Sequence, residues 1–412
     1  MKRLGGPMTT PSKILTWAAP DVTPEKRRAP PISLTNASPT KQLQRKGLTA
    51  REQIKTYVFF DLECTGLIKN SPNLQDFRTK SYSSSEELSD HLNGSCIETR
   101  LDHLPHITEM SFCAIPKETF DELKQERKAI EHWNEANPEH GQELVKFVPL
   151  NTHTRQVNPN ITERQWNEYH QKRSQAHGAA LVHQKRRLLR CNSFEKEWPG
   201  VVQFLDSLEK PAVLIGHNAL EYDLRVIYAE MKRYELLENY KIPKDVFFVD
   251  SLIMARHVER EVMAELSRMC KLVKFRQIQS HEQVEGNKEE QLTVGQDSVD
   301  PFAPSSIRAP TSVNGVFVAD HPSHSIDWNC YSIAIQKRIR KDGFVRKPGG
   351  GWDYKPAEPN KYKLGIIYEQ LLGSTFTAHF AQPDAEALMH VCLSYGDEFT
   401  QYADTFAAGV PF

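Results

Sequence analysis

The chain of 412 residues has an almost balanced charge, with 52 basic and 53 acidic side chains and a formal net charge of −1. This balance excludes a global basic field that would draw the protein to nucleic acid, so any such attraction has to be local. Hydrophobic residues make up 39% of the chain and 25 residues are proline, which predicts a globular core with sizeable unstructured segments beside it.

The chain begins with a predicted disordered tail. Residues 1–55 are rich in Pro, Thr, Lys and Arg and have no sustained apolar period. The basic triplet Lys26-Arg27-Arg28 in this tail fits a localisation signal, although a solvated charge cluster is the simpler interpretation.

A short apolar, β-prone run at 57–60 predicts a buried strand, which ends abruptly in Asp61-Leu62-Glu63. Alternate side chains of a strand point the same way, so Asp61 and Glu63 share a face. Adjacent carboxylates at the end of a buried strand repel each other and are costly to desolvate, and a divalent cation between them removes that cost. Ligands that are all oxygen favour Mg²⁺ or Mn²⁺ over zinc. The alternative is a strand that runs out into a polar turn at Thr65-Gly66.

Three strands in succession are predicted in the first half of the chain. The strands after 57–60 are 107–115 and 145–150. A polar excursion at 68–104 and a charged, helical or irregular extension at 117–143 separate them. Because no long helical crossover intervenes, the pattern favours an antiparallel meander.

The second half of the folded region is predicted to alternate helices and strands. Asp250 and Ser251 have the residue types that cap a helix start. The predicted elements are, in order, a helix at 194–208, a buried strand at 212–215, the segment Gly216-His217-Asn218, a helix at 222–237, a strand at 246–249 and a helix that begins after Asp250.

Residues 258–359 are predicted to be a mostly disordered insertion, because Gln, Glu, Ser, Pro and Gly are in excess there. We expect its replacement by a short linker to leave the domain folded and active. Regular structure is predicted to resume with a helix at 363–372 and a last helix from Pro383 to about 395. The folded domain is therefore expected to comprise 56–257 and 360–412.

Two further carboxylates stand at predicted helix starts. Asp223 follows the segment HNALEY, and Asp384 opens the last helix at a position beside the core. An aspartate at a helix start also caps the helix and complements its dipole, so each residue by itself has a purely structural explanation.

The order of these groups points to one chemistry. Asp-x-Glu, then H-N-x-x-x-x-Asp, then His-x-x-x-x-Asp resembles the motif set of the DEDD exonucleases of the DnaQ type. His379 stands five residues before Asp384, and Phe380 occupies the position at which the tyrosine subclass has its Tyr. The chain therefore resembles the DEDDh subclass.

The closer resemblance is to the TREX (three-prime repair exonuclease) family, and it covers roughly 55–258 and 358–400. Ile161-Thr162 is followed here by Glu163-Arg164, where the family has Gly-Leu. The blocks that carry the resemblance are FFDLECTGL, LPHITEMSFCAI, VNPNITERQW, LIGHNALEYDLRVIYAEM, VFFVDSLIMAR, YKLGIIYEQLLG and AHFAQPDAEALMHV, in that order.

The resemblance implies an α/β, RNase H-like exonuclease fold. In that fold a mixed sheet begins with three antiparallel strands, continues with parallel ones and is flanked by helices. The implied function is metal-dependent 3′→5′ removal of nucleoside 5′-monophosphates from DNA ends, with a preference for single strands. Four carboxylates, Asp61, Glu63, Asp223 and Asp384, are expected to hold two Mg²⁺ ions, or Mn²⁺ in their place. His379 is expected to deprotonate the attacking water.

Substrate contacts are also implied by the resemblance. Leu67, Ile161 and Tyr222 match family positions that hold the terminal nucleotides by stacking or wedging, and Asn218 is expected to join them. Ordinary core packing is the alternative for these side chains. Basic clusters at 185–190 and 337–347 could follow phosphates, but a solvated charge run is the simpler interpretation of each.

Two other functions remain open at this stage. One is an RNA or oligoribonucleotide exonuclease with the same site, because the 2′-OH is distinguished by pocket shape. The other is a non-catalytic nucleic-acid-binding scaffold. Family members pair through edge strands, which makes 145–150 a candidate edge for a homodimer.

The location of the protein is predicted from its cysteines and its apolar runs. The seven cysteines are scattered and form no C-x-x-C pair, which indicates reduced thiols in an intracellular protein of the nucleus or cytoplasm. The sequence has no signal-peptide pattern and no apolar run near 18 residues, so we expect no integral membrane segment.

Overall fold

A mixed β-sheet forms the centre of the molecule in the computed structural model. The model describes residues 53–68, 81–98, 100–137, 139, 151–177, 185–286, 326, 328–339, 343–348, 352–354 and 362–412. All of these belong to the unit that spans 52–412. The predicted strand and edge at 145–150, and residues 1–52 of the predicted tail, lie outside the described residues.

The described strands of the sheet lie in the order β3-β2-β1-β4-β5-β8. The pairs β1/β2 and β2/β3 are antiparallel, β1/β4 and β4/β5 are parallel, and β5/β8 is antiparallel. The strands are β1 (Thr56–Cys64), β2 (Ile107–Pro116), β3 (Asn151–Gln156), β4 (Ala212–Gly216), β5 (Val246–Asp250) and β8 (Ala408–Gly409). The predicted α/β class, with an antiparallel start followed by parallel strands, is confirmed.

Helices flank this sheet. In the part of the chain that the structure describes, β6 (Phe344–Arg346) and β7 (Trp352–Tyr354) form a separate two-stranded sheet. Among the described helices, none has a stretch long and apolar enough to cross a membrane. The helices are α1 (Ser85–Glu98), α2 (Lys117–Ala136), α3 (Glu163–His177), α4 (Lys185–Leu188), α5 (Phe194–Ser207), α6 (Asp223–Arg233), α7 (Ser251–Gly286), α8 (Ile333–Arg338), α9 (Leu364–Leu372) and α10 (Ala381–Phe406).

Strand β1 is buried on both faces, as its continuous apolar run predicts. On one face the ring of Tyr57 packs against Phe120 of α2 and Phe399 of α10, with centroids 5.0 and 5.2 Å away. On the other face Phe60 stacks on Phe112 of β2 at 5.7 Å. The carboxylates that follow this run are thereby held at the end of a strand that is buried on both faces.

One local expectation was wrong, and strand β3 was not predicted. Part of the expected polar excursion at 68–104 is helix α1, because Leu88, Leu92 and Cys96 recur at a spacing of four and are all buried. The unpredicted strand β3, Asn151–Gln156, is a mostly polar segment. Such a strand needs no apolar run, because in the described sheet it pairs on one side only, with β2.

The expected insertion is also more ordered than its composition indicates. Helix α7 continues to Gly286, so the predicted boundary at 257 falls inside a helix. Glu259 of α7 forms a buried ion pair with Arg338 of α8, and both side chains are fully buried. The hydroxyls of Tyr362 and Tyr395 each donate to Glu259 at 2.8 Å. Parts of 258–359 therefore belong to the packed domain.

The last helix begins at Ala381, two residues before the predicted start, so Pro383 is its third residue. Gly396 has φ +55° and interrupts the regular helix next to the predicted end at 395. This start places Asp384 in the first turn of α10.

Candidate active site

Three carboxylates from two distant parts of the chain meet at the end of β1. Asp61 and Glu63 come from β1, and Asp384 comes from the first turn of α10. One carboxylate oxygen of each lies within 4.8 Å of the corresponding oxygens of the other two. A set of hard oxygen donors at this spacing can hold a divalent cation.

Asp384 is held in place by the backbone before its own helix. Its Oδ2 accepts hydrogen bonds from the N–H of His379 at 2.7 Å and of Phe380 at 3.1 Å. The structural alternative raised by the sequence, capping of the helix start, therefore holds for Asp384. A carboxylate has a second oxygen, so capping through Oδ2 is compatible with metal binding through Oδ1.

Asp223 lies beside this cluster and outside the group whose oxygens are all mutually close. It is the buried first residue of α6, as predicted. Burial, followed by the charges of Asp250 and Glu63, raises the pKa of Asp223 to about 8. The structure thus places three of the four predicted metal ligands together and the fourth next to them.

The carboxyls at this site repel one another. The pKa of Asp61 is raised well above its usual value, first by burial and then by the charges of Asp223, Asp384, Glu63 and Glu109. Burial and then the charge of Glu63 raise the pKa of Asp384 to about 7. A bound cation would relieve this repulsion, because it favours the ionised form of each carboxyl.

Glu109 is a fifth carboxylate that sequence analysis missed. It lies on β2 directly opposite Glu63 in the antiparallel register, and it is buried. Its charge acts on both Asp61 and Asp384. The signal was a glutamate within the otherwise apolar strand ITEMSFCAI, because an unneutralised charge is costly at such a position.

Asp250, which the sequence indicated only as a helix cap, also organises the loop beside the site. Its role as a helix cap is confirmed, because its Oδ1 accepts from the N–H of Leu252 at 2.9 Å and of Ile253 at 3.3 Å. The same carboxylate also accepts from the N–H of Asn218 at 3.2 Å and of Leu220 at 2.9 Å. It therefore fixes the backbone just before Asp223.

His217 connects this loop to a more distant segment. Its Nε2 lies 2.6 Å from the carbonyl of Tyr362, and its Nδ1 lies 2.9 Å from the hydroxyl of Ser251. A carbonyl can only accept, so Nε2 carries the proton and Nδ1 accepts from Ser251. Burial is the main cause that lowers the pKa of His217, which favours this neutral form.

Two of the four predicted substrate contacts share a cavity of about 270 Å³. Leu67 is 82% exposed at its rim. Ile161 lines the cavity too and packs on a small cluster that includes Trp166 and Tyr169. Leu67 therefore does not pack in the core, whereas Ile161 does pack on a buried cluster.

The other two predicted contacts lie differently. The ring of Tyr222 is half-buried, and its hydroxyl donates to the carbonyl of Gly66, which ties the start of α6 to the turn after β1. Asn218 adopts φ +66°, a conformation that asparagine tolerates better than most residues. Neither residue lines the cavity of Leu67 and Ile161.

His379 lies between α9 and α10 and is half-buried. Its φ of +71° is a costly conformation for a residue with a Cβ, of order 1–3 kcal/mol. The hydrogen bond from its own N–H to Asp384 helps to hold this conformation. The side chain of Asp384 therefore fixes the backbone of His379.

Comparison with known proteins does not identify this site. No family model matches the chain, and no curated protein matches it. The family indicated by the sequence blocks stays a prediction, and function has to be argued from the chemistry of the site.

Proposed function

We propose that this protein is a metal-dependent 3′→5′ exonuclease of RNase H-like fold and DEDDh type, which acts on single-stranded DNA ends. The observation that carries the proposal is the convergence of Asp61, Glu63 and Asp384 within 4.8 Å. The proposal is supported by Asp223, whose charge acts on Asp61, and by His379, whose backbone N–H donates to Asp384. A purely structural role for so many buried, mutually repelling carboxyls would lower stability without any gain.

Each residue has a separate task in this proposal. Asp61, Glu63 and Asp384 hold metal, and Asp223 completes the set beside Asp61. When bound, two Mg²⁺ ions, or Mn²⁺ in their place, supply activation of water and stabilisation of the leaving 3′ oxygen. His379 takes the proton that the attacking water loses, because an imidazole is largely neutral near pH 7. The water oxygen forms a bond to phosphorus as the bond from phosphorus to the 3′ oxygen breaks. The 3′ oxygen of the shortened strand takes up a proton from solvent, and a nucleoside 5′-monophosphate leaves.

The cavity of Leu67 and Ile161 receives the terminal base in this proposal. Leu67 and Ile161 present apolar surface to the flat face of a base, which every base possesses. Contacts of this kind carry little sequence information. The enzyme should therefore remove each nucleotide in turn with little preference for base.

The test is digestion of matched DNA and RNA oligonucleotides that carry a label at either end. With Mg²⁺, a 3′ label should appear at once as a mononucleotide, whereas a 5′ label should give a ladder of shortening products. EDTA should stop both reactions. Asp61→Asn should abolish cleavage, and Asp90→Asn on the exposed side of α1 should have no effect.

Three results would contradict the proposal in different ways. Cleavage at the wild-type rate by Asp61→Asn would show that the active site has been assigned wrongly. Faster cleavage of RNA than of DNA would show that the substrate is an oligoribonucleotide. Binding of oligonucleotides without cleavage, in Mg²⁺ and in Mn²⁺, would indicate a non-catalytic scaffold.

A further inference from the structure

A cleft that holds three arginines lies directly beside the acidic centre. It has a volume of about 450 Å³, and we call it the arginine cleft. The residues that define it are Glu109, Arg155, Arg187, Arg190, Asn192 and Glu197. Glu109 belongs to both places, because its charge also acts on Asp61 and Asp384. Glu109, which lies opposite Glu63 in the strand register, thus places the cleft next to the site proposed to cut phosphodiesters.

The arginines are brought together by tertiary structure. Arg155 lies on β3 next to Gln156, the residue paired with Glu109. Arg187 lies in α4, and Arg190 follows in the turn after it.

The segment that carries Arg187 and Arg190 is anchored at two points. The N–H of Asn158 donates to the carbonyl of Asn192 at 2.8 Å, which joins this segment to the chain just after β3. Leu188 is fully buried in the cluster with Trp166 and Tyr169. The backbone of the basic cluster at 185–190 is therefore anchored beside β3. Arg187 and Arg190 line the cleft and remain exposed, as expected for a solvated run.

The charge of the cleft is only partly balanced. Arg155 pairs with Glu197 at 3.3 Å, and Glu197 also accepts from the side-chain amide of Asn192 at 2.6 Å. Arg187 and Arg190 are exposed, and neither has a carboxylate within 4.0 Å in the part of the chain that the structure describes. Two guanidinium groups are thus exposed next to the proposed metal site. This arrangement suits the binding of an anionic chain that extends from that site.

We propose that the arginine cleft binds a backbone phosphate of the substrate strand, upstream of the phosphodiester that is cut. The inference rests on the proposed function, and it adds that the enzyme prefers polynucleotides to dinucleotides. A guanidinium matches a phosphate with two parallel hydrogen bonds, so Arg187 and Arg190 are the contacts. Contacts to phosphate position a strand and carry no sequence information.

The first measurement is the affinity for a fluorescent single-stranded 12-mer, in the Asp61→Asn background so that the strand is not cut. Arg187→Gln combined with Arg190→Gln should weaken binding at least about tenfold, as expected for lost hydrogen bonds to charged groups. The slope of log affinity against log salt should become shallower by about 0.7, since one single-strand phosphate contact contributes about 0.7. The matched control is Arg186→Gln, which removes the same charge from α4 but does not line the cleft.

The second measurement uses active protein and two substrates. The 12-mer spans the cleft, whereas the 4-nitrophenyl ester of thymidine 5′-monophosphate occupies the metal site only. The double variant should lose about tenfold in kcat/KM on the 12-mer and keep the wild-type rate on the ester.

The two proposals fail in distinguishable ways. An unchanged affinity and salt slope in the double variant would overturn the arginine cleft while ester hydrolysis still supported the exonuclease. An equal loss on both substrates would also overturn it, since the arginines would then act at the metal centre. Hydrolysis of neither substrate by the wild-type protein would overturn the proposed function itself.

Discussion

Replacement of Arg338 by methionine should destabilise the domain strongly. Arg338 comes from α8, within the stretch whose composition predicted disorder. Its guanidinium pairs with Glu259 and donates to the side chain of Gln370 at 2.5 Å. Methionine fills much of the same volume without charge, so the main effect is that Glu259 loses its cation.

The magnitude follows from the surroundings of Glu259. Removal of one partner of a buried ion pair costs about 3–5 kcal/mol, because the other charge remains desolvated. Glu259 keeps the hydroxyl donors of Tyr362 and Tyr395 at 2.8 Å. These donors offset part of the loss, so we expect a decrease of about 3 kcal/mol in the free energy of unfolding.

The assay is equilibrium unfolding in urea at pH 7, followed by circular dichroism. Arg346→Met is the control, because Arg346 is an exposed arginine of β6 in the same inserted stretch. Its free energy of unfolding should stay within about 0.5 kcal/mol of the wild-type value. Glu259→Gln in the Arg338→Met background should recover at least about 1 kcal/mol, because it removes the unpaired charge.

A loss below about 1 kcal/mol for Arg338→Met would refute this reasoning. It would mean that Glu259 reaches water or another cation once Arg338 is gone. The sequence predicted that 258–359 can be replaced by a short linker, but the packing of Arg338 and Glu259 leads to a different expectation. Removal of 258–359 would delete both partners and most of α7, so the domain should not tolerate it.

Three further outcomes are expected. Saturating Mg²⁺ should raise the melting temperature relative to EDTA, and Asp61→Asn should reduce this difference; an equal melting temperature with and without metal would argue against the acidic cluster. His379→Ala should lower turnover about 10²–10⁴-fold with little change in Mg²⁺ affinity, and a variant that kept its rate but lost metal would identify His379 as a ligand. Burial and then the charge of Arg127 lower the pKa of His390 from 6.5 to about 4, so the unfolded chain takes up this proton first as the pH falls. The contribution of His390 to stability should therefore decrease between pH 6.5 and pH 4 by at most about 3 kcal/mol. The check is the difference in urea midpoint between the wild type and His390→Gln across this range, because the raised pKa values of Asp61, Asp223 and Asp384 change the stability of both proteins in the opposite direction.

Local features of the chain could be predicted from sequence. The buried strand that ends in Asp61 and Glu63, and the helix starts at Asp223 and Asp384, depend on residues a few positions apart. Apolar period and capping chemistry act over such distances, so they are visible in the sequence. Helix α1 was not predicted although Leu88, Leu92 and Cys96 have helical spacing, because polar residues dominate the composition there.

Contacts between distant segments were decided by tertiary structure. Glu109 opposes Glu63 because of strand register, and a shift of one residue would turn it to the other face. Glu259 meets Arg338 across 79 residues, and both have the appearance of surface charges in the sequence. Arg155 and Arg187 share a cleft only because the chain returns beside β3. Sequence pattern reports the preference of each segment for a conformation, whereas the environment of a charge depends on which other segments pack around it.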